Sequence, residues 1–190
     1  MANYFTSDLH IEHKRILDYT KRSTVTTLED HTDWVIDLIN STVKRNDFLF
    51  ELGDFIFCKD PNEIVEIIER INCHVVCIKG NHDSNTTWKK VKTNKVISFQ
   101  DYKEMKLKDG QHLCMFHFPM HVWHRQHYGS YHAHGHCHGS YQGQGRILDV
   151  GLDNSLNVFG EYKLFTEDDI IQFMSGREVI SNDGHVVKNK

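Results

Sequence analysis

Apolar residues along the first half of the chain alternate between strand-like runs and helical repeats. The runs "NYFTSDLH" (3–10), "DFLFELGDFIF" (47–57) and "CHVVCIKGNHD" (73–83) each predict a strand that ends in polar residues. Between them, apolar residues at helical spacing predict three helices, in "IEHKRILDY", "TLEDHTDWVIDLINSTV" and "DPNEIVEIIERI". The resulting order, β-α-α-β-α-β, favours a sheet with a parallel core.

The second half has a different pattern. The segment "DYKEMKLKDGQHLCMFHF" predicts a hairpin that turns at Asp109-Gly110, and "GSYHAHGHCHG" and "GRILDVGLD" predict two further strands. "TEDDIIQFM" predicts a final helix capped by Thr166, and the tail "REVISNDGHVVKNK" is compatible with a small hairpin or a frayed end. We find no repeat and no Pro/Gly/Ser linker, so the pattern predicts one α/β sandwich domain over residues 1–190 with a mixed sheet.

Composition narrows the class of protein. Of the 190 residues, 39% are hydrophobic and 25% charged, as in an ordinary globular domain. The net charge of −4 gives no basic footprint for long nucleic acid or an anionic membrane, and no apolar run reaches the roughly 20 residues that span a bilayer. The N-terminus lacks the features of a secretory signal, and the five cysteines form no CxxC pair. We therefore expect a cytoplasmic protein in a reducing compartment.

Residues able to bind metal follow the predicted strands. In chain order they are Asp8, His10, Asp54, Asn81, His82, Asp83, His117, His136 and His138. In open α/β sheets, ligand sites form outside the carboxyl ends of the strands. Each segment alone also has an explanation that needs no metal site, such as an N-cap, a Gly-Asp turn or a surface histidine run. Taken together, five segments that deliver oxygen and nitrogen ligands to one edge indicate a site.

The residue types indicate which ions this edge would bind. Carboxylates, imidazoles and one amide oxygen, without thiolates, suit divalent ions such as manganese, iron or zinc. Three oxygen ligands and four imidazoles are enough for two ions, and one aspartate can bridge them. Two such ions form a clamp for the attacking and leaving oxygens of phosphoryl transfer.

The order DLH, GD, GNHD, a lone His and GHCH resembles the calcineurin-like metallophosphoesterase superfamily, in particular its small single-domain bacterial and phage members. The five motifs run from Asp8 to His138 and so cover most of the chain. The resemblance implies a four-layer α/β/β/α sandwich, made of two mixed β-sheets flanked by helices, and a centre of two metal ions. Mn²⁺ is the first choice, with Fe, Zn or Ni as alternatives.

The resemblance also implies a role for each residue. Asp8, His10 and His138 would bind the first metal, Asn81, His117 and His136 the second, and Asp54 would bridge the two. His82 would protonate the leaving oxygen or stabilise the transition state, and Asp83 would orient it. Apart from the resemblance, alternation along the predicted strand puts His134 on the face of the ligands as a candidate supporting residue and Cys137 on the opposite face, in the core. His132 lies further back and is expected in packing or at the surface.

The implied reaction is hydrolysis of a phosphodiester or a nucleotide-type phosphate by attack of a metal-bridging hydroxide. Protein Ser/Thr phosphatases of the superfamily continue "GD" into an Asp-Arg pair, but this chain has Phe57 and Cys58 instead, which argues against that branch. Lys14, Lys59 and Arg125 are the candidates for a phosphate-binding cation.

Other functions were weighed against this one. A phosphomonoesterase or a nuclease would use the same centre, although a net charge of −4 does not favour long nucleic acid. A non-catalytic scaffold of the same fold disagrees with an intact ligand set, and a structural zinc module lacks a compact Cys/His quartet. We expect a small phosphoester as the partner, with no membrane, and the sequence leaves the oligomeric state open.

Overall fold

The first of two sheets contains the parallel core that the sequence predicts. In the computed structural model, which describes residues 1–22 and 25–187, strands β1 (Asn3–Thr6), β2 (Phe48–Glu51), β3 (His74–Ile78) and β4 (Val96–Gln100) are parallel. Strand β9 (Phe165–Thr166) pairs antiparallel with β1, so the order is β4-β3-β2-β1-β9. Both neighbours of β3 are strands of the same sheet, as its continuous apolar run predicts.

The second sheet has four strands in the order β5-β6-β7-β8. Strands β5 (Tyr102–Lys106) and β6 (His112–Phe116) form the predicted antiparallel hairpin, and its turn at Asp109-Gly110 is closed by backbone bonds between Leu107 and Gln111 and between Gly110 and Leu107. Strands β7 (Tyr131–His134) and β8 (Ile147–Asp149) continue the sheet in parallel. The expectation of an α/β sandwich with mixed sheets is confirmed.

The helices differ from the predictions in three places, one of which is a single turn at Asn85–Trp88 that was not predicted. The segment "IEHKRILDY" forms only one turn, α1 (Ile16–Tyr19), and the predicted strand "GRILDVGLD" ends early because α5 (Leu152–Phe159) begins inside it. The other helices are α2 (Leu28–Thr42), α3 (Pro61–Glu69), α4 (Asn85–Trp88) and α6 (Glu167–Ser175). None of the described helices has the length and apolar content that a bilayer-spanning segment requires.

Side-chain capping starts the longer helices where the sequence predicts. The Thr27 side chain accepts from the backbone N–H of Asp30 at the start of α2, and Asp60 caps α3 through Asn62 N–H. At α6, Thr166 and Asp169 form a full capping box. The described part of the tail, up to residue 187, contains neither helix nor strand, and the last three residues lie outside the described part.

Two apolar layers hold the sheets in place. One lies between the sheets and joins Phe5, Phe50 and Val76 of the first sheet to Leu113 and Ala133 of the second. The other packs α2 and α3 against the outer face of the first sheet. The side chains in both layers are almost fully buried, so the sheets cannot shift relative to each other without opening a cavity.

A loop covers part of the outer face of the second sheet. Cys114 and Ile147 of this sheet pack against Trp123 and Met120. Trp123 and Met120 belong to the loop between β6 and β7, which contains a short 3₁₀ helix at Gln126–Tyr128. The buried tryptophan anchors this loop to the sheet.

Candidate metal centre

The segments that follow β1 and β2 are joined side by side beyond the ends of their strands. The backbone N–H of Asp8 donates to Gly53 O at 2.9 Å, and that of His10 donates to Asp54 O at 2.9 Å. A further parallel bridge joins Ile11 to Ile56. The two loops therefore extend the parallel pairing of the sheet and bring the Asp8, His10 and Asp54 side chains to one edge.

The seven predicted metal ligands meet at this edge. Ligand atoms of Asp8, His10 and His138 all lie within 4.8 Å of one another, and so do those of Asp54, His117 and His136. Asn81 joins the second group, since its Oδ1 lies 3.0 Å from both His117 Nε2 and His136 Nδ1. The two groups correspond to the two ligand sets that the resemblance implies, with Asp54, the implied bridge, in the second group.

Asp54 lies between the two groups. Its Oδ2 is 3.8 Å from His10 Nε2 on one side and 3.5 Å from His117 Nε2 on the other. His82 Nε2 lies 3.9 Å from the same oxygen, and the His82 backbone N–H donates to Asp54 Oδ1 at 2.9 Å. One carboxylate oxygen thus faces both ligand groups, as a bridging ligand must.

Asp83 contacts the backbone around Asp54. Its carboxylate accepts from the backbone N–H groups of Asp54, Gly80 and Phe55 at 2.8, 2.8 and 3.3 Å. The sequence predicted that Asp83 would orient the His82 ring. The three contacts are all with backbone N–H groups, so Asp83 positions the loop that carries Asp54.

The backbone at the centre is strained. Five of the seven predicted ligands have the left-handed conformation that non-glycine residues avoid, with positive φ at Asp8 (57°), His10 (51°), Asp54 (60°), His136 (69°) and His138 (48°). Each such residue costs on the order of 1 kcal/mol or more, and strain of this kind concentrates at functional sites. Strong packing around the centre therefore holds the ligands in conformations that local preference opposes.

Two glycines allow the loops to approach this closely. A Cβ atom at Gly80 would overlap Asp54 Oδ1, and one at Gly135 would overlap the Ser7 hydroxyl and crowd Asp8 Oδ2. Side chains at these positions would separate the loops that carry the ligands. The glycines of "GNHD" and "GHCH" are therefore required by close approach.

The donor set fits divalent cations. Both ring nitrogens of His10 are buried without a hydrogen-bond partner, a costly arrangement that a metal ion would relieve. Burial lowers the pKa of His10 to about 3, so its imidazole is neutral and free to coordinate. Burial raises the pKa of Asp8 to about 7, although the neighbouring His138 and His117 act in the opposite direction. Although burial opposes it, the hydrogen bond from His117 lowers the pKa of Asp54 to about 2.

Asp153 and Arg22 support His138 from behind, and the sequence analysis missed both. His138 Nδ1–H donates to Asp153 Oδ2 at 2.7 Å, which leaves Nε2 facing Asp8. The Arg22 guanidinium, 1% exposed, pairs with Asp153 at 2.9 Å and donates to the backbone carbonyls of Asp8 and Leu9. Asp153 begins α5 just after a strand, the position that singled out the other site residues.

The centre opens into a cleft of about 770 Å³, whose lining includes His10, His13, Arg15, Tyr19, His82 and His136. Asp8, His10, Asp54 and His117 are buried, Asn81 is exposed, and His82 and His136 are exposed to the cleft. The cation in the lining is Arg15, not Lys14, Lys59 or Arg125 as the sequence suggested. The Arg125 guanidinium instead lies over the Tyr128 ring, because left-handed backbone at Arg125 begins the 3₁₀ helix.

Two expectations for the histidine run are wrong. Cys137 is half-buried and lines the cleft, although alternation along a strand placed it in the core. His134 lines a separate cavity with Tyr141 and Asp149, and its Nδ1 bonds to Gly135 O rather than to a predicted ligand. The physical reason is the same in both cases: β7 ends at His134, so period-two alternation does not extend to residues 136–138.

Comparison with known proteins adds the fold. No family model matches the chain. The uncharacterized protein MJ1445 of Methanocaldococcus jannaschii is 28% identical over 129 residues, which cover 67% of this chain and 70% of that protein. The crystal structure of AQ665, a protein of unknown function from Aquifex aeolicus, aligns with a TM-score of 0.65 at 19% identity, over 91% of this chain and 99% of that chain. The two chains share a fold, and any function must be argued from the site.

Proposed function

We propose that this protein is a dinuclear-metal-dependent phosphoesterase with the fold of the calcineurin-like metallophosphoesterases. The observation that carries the proposal is the position of Asp54 Oδ2, 3.8 Å from His10 Nε2 and 3.5 Å from His117 Nε2. A carboxylate oxygen shared by two His/Asp groups is the arrangement that a two-metal centre needs.

Each ligand group would hold one ion. Asp8, His10 and His138 would bind the first, Asn81, His117 and His136 the second, and Asp54 both. Mn²⁺ is the first choice, and Fe, Zn or Ni would suit the same imidazole and carboxylate donors. When bound, two such ions lower the pKa of a bound water and offset negative charge on phosphoryl oxygens.

His82 is the candidate proton donor. Its side chain is 43% exposed, beside the buried Asp54, so the ring can reach a substrate in the cleft. The bond from its backbone N–H to Asp54 Oδ1 anchors the residue while the ring stays open to solvent. In phosphoester hydrolysis such an imidazole would hold a proton at Nε2 and pass it to the departing oxygen.

The cleft favours an accessible phosphodiester or nucleotide-type phosphate. Arg15 supplies a cation in the cleft lining, and Phe57 lies beside the centre, its ring 5.0 Å from that of His82 and stacked on His13 at 4.2 Å. A guanidinium and an exposed ring next to the metals would suit a phosphate attached to a flat organic group. We further propose a cytoplasmic location, which the five free cysteines support.

The test is a substrate panel with added Mn²⁺, comparing p-nitrophenyl phosphate, its bis ester and cyclic nucleotides. We expect fastest turnover of a diester. His82→Ala should retain both metals and lose about 10²–10⁴-fold in rate, whereas Asp54→Asn should lose metal, and the exposed Asp168→Asn should change neither. Absence of turnover by a metal-loaded wild-type protein would favour the scaffold alternative. Full dinuclear loading of Asp54→Asn would rule out the bridge.

A further inference from the structure

A second His/Asp cluster lies outside the cleft. Ligand atoms of His127, Asp183 and His185 all lie within 4.8 Å of one another. His127 belongs to the 3₁₀ helix that covers the second sheet, and the other two residues belong to the C-terminal tail. The cluster therefore joins two segments far apart in sequence.

Hydrogen bonds hold the tail in place at this position. The Asn182 backbone N–H donates to the Gln126 side chain at 3.2 Å, and the Asn182 amide donates to His121 O at 2.9 Å. Gln126 is 1% exposed, so it is a fixed part of the fold. The tail residues around Asp183 are thus docked on an ordered surface and do not merely pass over it.

The two carboxylate oxygens of Asp183 make different contacts, and one of them closes a turn of the tail. Oδ1 accepts from the Ser181 hydroxyl at 2.8 Å and from the His185 backbone N–H at 3.1 Å. Oδ2 faces the two imidazoles, 3.0 Å from His185 Nδ1 and 3.9 Å from His127 Nδ1. The oxygen that faces the histidines is therefore not the one that closes the turn.

The imidazoles are arranged as a pair. Their rings stack with centroids 4.5 Å apart and an angle of 15° between planes, and both Nδ1 atoms lie within 4 Å of the same carboxylate oxygen. His127 Nδ1 is buried and has no hydrogen-bond partner, which is unfavourable for a polar nitrogen. Ligands of a tetrahedral zinc lie about 3.3 Å apart when each is about 2.0 Å from the ion. Asp183 Oδ2 lies 3.0 Å from His185 Nδ1 and 3.9 Å from His127 Nδ1, and these two distances lie on either side of that value.

We propose that His127, Asp183 and His185 form a separate site for a borderline divalent cation of the Zn²⁺ or Ni²⁺ type, which fastens the C-terminal tail to the loop covering the second sheet. Two imidazoles and one carboxylate are donors that such ions accept, and the exposed side of the cluster leaves room for water as a fourth ligand. The orphaned nitrogen of His127 would gain a partner. The site is independent of the proposed phosphoesterase centre.

The test measures hydrogen exchange of the full-length protein by mass spectrometry, with Zn²⁺ alone as the probe. In the wild type, peptides covering residues 176–187 should exchange about tenfold more slowly when free Zn²⁺ is about ten times the dissociation constant. His185→Asn and Asp183→Asn should abolish the response. The side chain of His185 is 63% exposed, so its replacement should leave folding intact.

Two control variants separate this site from other zinc sites. His121→Asn removes a neighbouring exposed imidazole whose backbone carbonyl alone contacts the tail, and it should respond like the wild type. Asp54→Asn disables the main centre and should keep the tail response, whether or not the phosphoesterase proposal holds. The proposal is overturned if zinc leaves tail exchange unchanged in the wild type, or slows it equally in His185→Asn.

Discussion

Four histidines alternate from His132 to His138, yet the structure divides them into two pairs with opposite environments. His132 is fully buried in β7, where Nδ1–H donates to Cys114 O and Nε2 accepts from the Met120 N–H, both at 3.0 Å. His134, also buried, bonds to Gly135 O. His136 and His138 lie past the end of the strand in left-handed backbone, at the candidate metal centre.

The difference shows that position on the backbone decides what an imidazole can do. Burial lowers the pKa of His132 to about 3, so this ring stays neutral and serves packing. Burial also acts on His138, but the hydrogen bond with Asp153 and the charge of Asp8 outweigh it and raise its pKa. The same residue type, six positions apart, thus serves the core in one case and a candidate metal site in the other.

The largest expected effect would come from removing one ligand of the second pair. His138→Ala should weaken Mn²⁺ binding by more than about 100-fold, since loss of supporting residues alone typically costs 10–100-fold. Calorimetric titration with Mn²⁺ measures this, with His134→Ala as the matched control from the same run. Equal loss of Mn²⁺ affinity in both variants would mean that the two histidine pairs do not differ in their role at the centre.

The reverse pattern is expected at His132. His132→Ala removes a buried ring and leaves two backbone groups unpaired, so the free energy of unfolding should fall by about 2–4 kcal/mol. Urea denaturation checks the stability, and the Mn²⁺ affinity of the folded variant should be close to that of wild type. A large loss of metal affinity at unchanged stability would show that His132 serves the centre instead.

Asp153 tests the support behind His138. Asp153→Asn weakens the acceptor of His138 Nδ1–H and leaves the buried Arg22 without its counter-charge, so Mn²⁺ affinity should fall by about 10–100-fold. Titration at several Mn²⁺ concentrations would also show whether the reaction rate recovers at saturation. An unchanged affinity would mean that the ring is fixed by packing alone.

Lowering the pH should reduce the stability of the fold through His132, a member of the first pair. Because the pKa of His132 is about 3 in the folded state and near 6.5 when unfolded, the unfolded state alone binds this proton between those values. Stability from the neutral ring is therefore complete above pH 6.5 and declines as pH falls toward 3, by up to about 1.4 kcal/mol per pH unit. Urea midpoints at several pH values should fall less steeply in His132→Ala than in wild type.

The smallest effect concerns backbone strain in the second pair. His136 has φ 69°, so His136→Gly should be more stable than His136→Ala by about 1 kcal/mol, while both variants lose metal affinity. Thermal or urea unfolding without metal compares the two. Equal stability would mean that the surrounding loop relaxes and stores no strain at this position.

Much of the fold was predictable because its signals are local. The apolar runs of β1, β2 and β3, the Asp109-Gly110 turn and the Thr166 capping box are each properties of a few adjacent residues. α5 was missed because the apolar residues of "ILDVGLD" fit a strand as well as a helix. The one-turn length of α1 is likewise a tertiary outcome that periodicity does not contain.

By itself, the sequence determined which residue types follow each strand, and strand ends share an edge in a parallel sheet, so a cluster of metal-binding side chains could be predicted, while the assignment of each ligand came from the resemblance. Tertiary structure alone decided that the Asp83 carboxylate accepts from backbone N–H groups around Asp54. It also decided that Asp153 and Arg22 support His138, and that Arg15 lines the cleft. These are contacts between segments distant along the chain. They depend on loop conformations, several of them left-handed, which packing imposes against local preference.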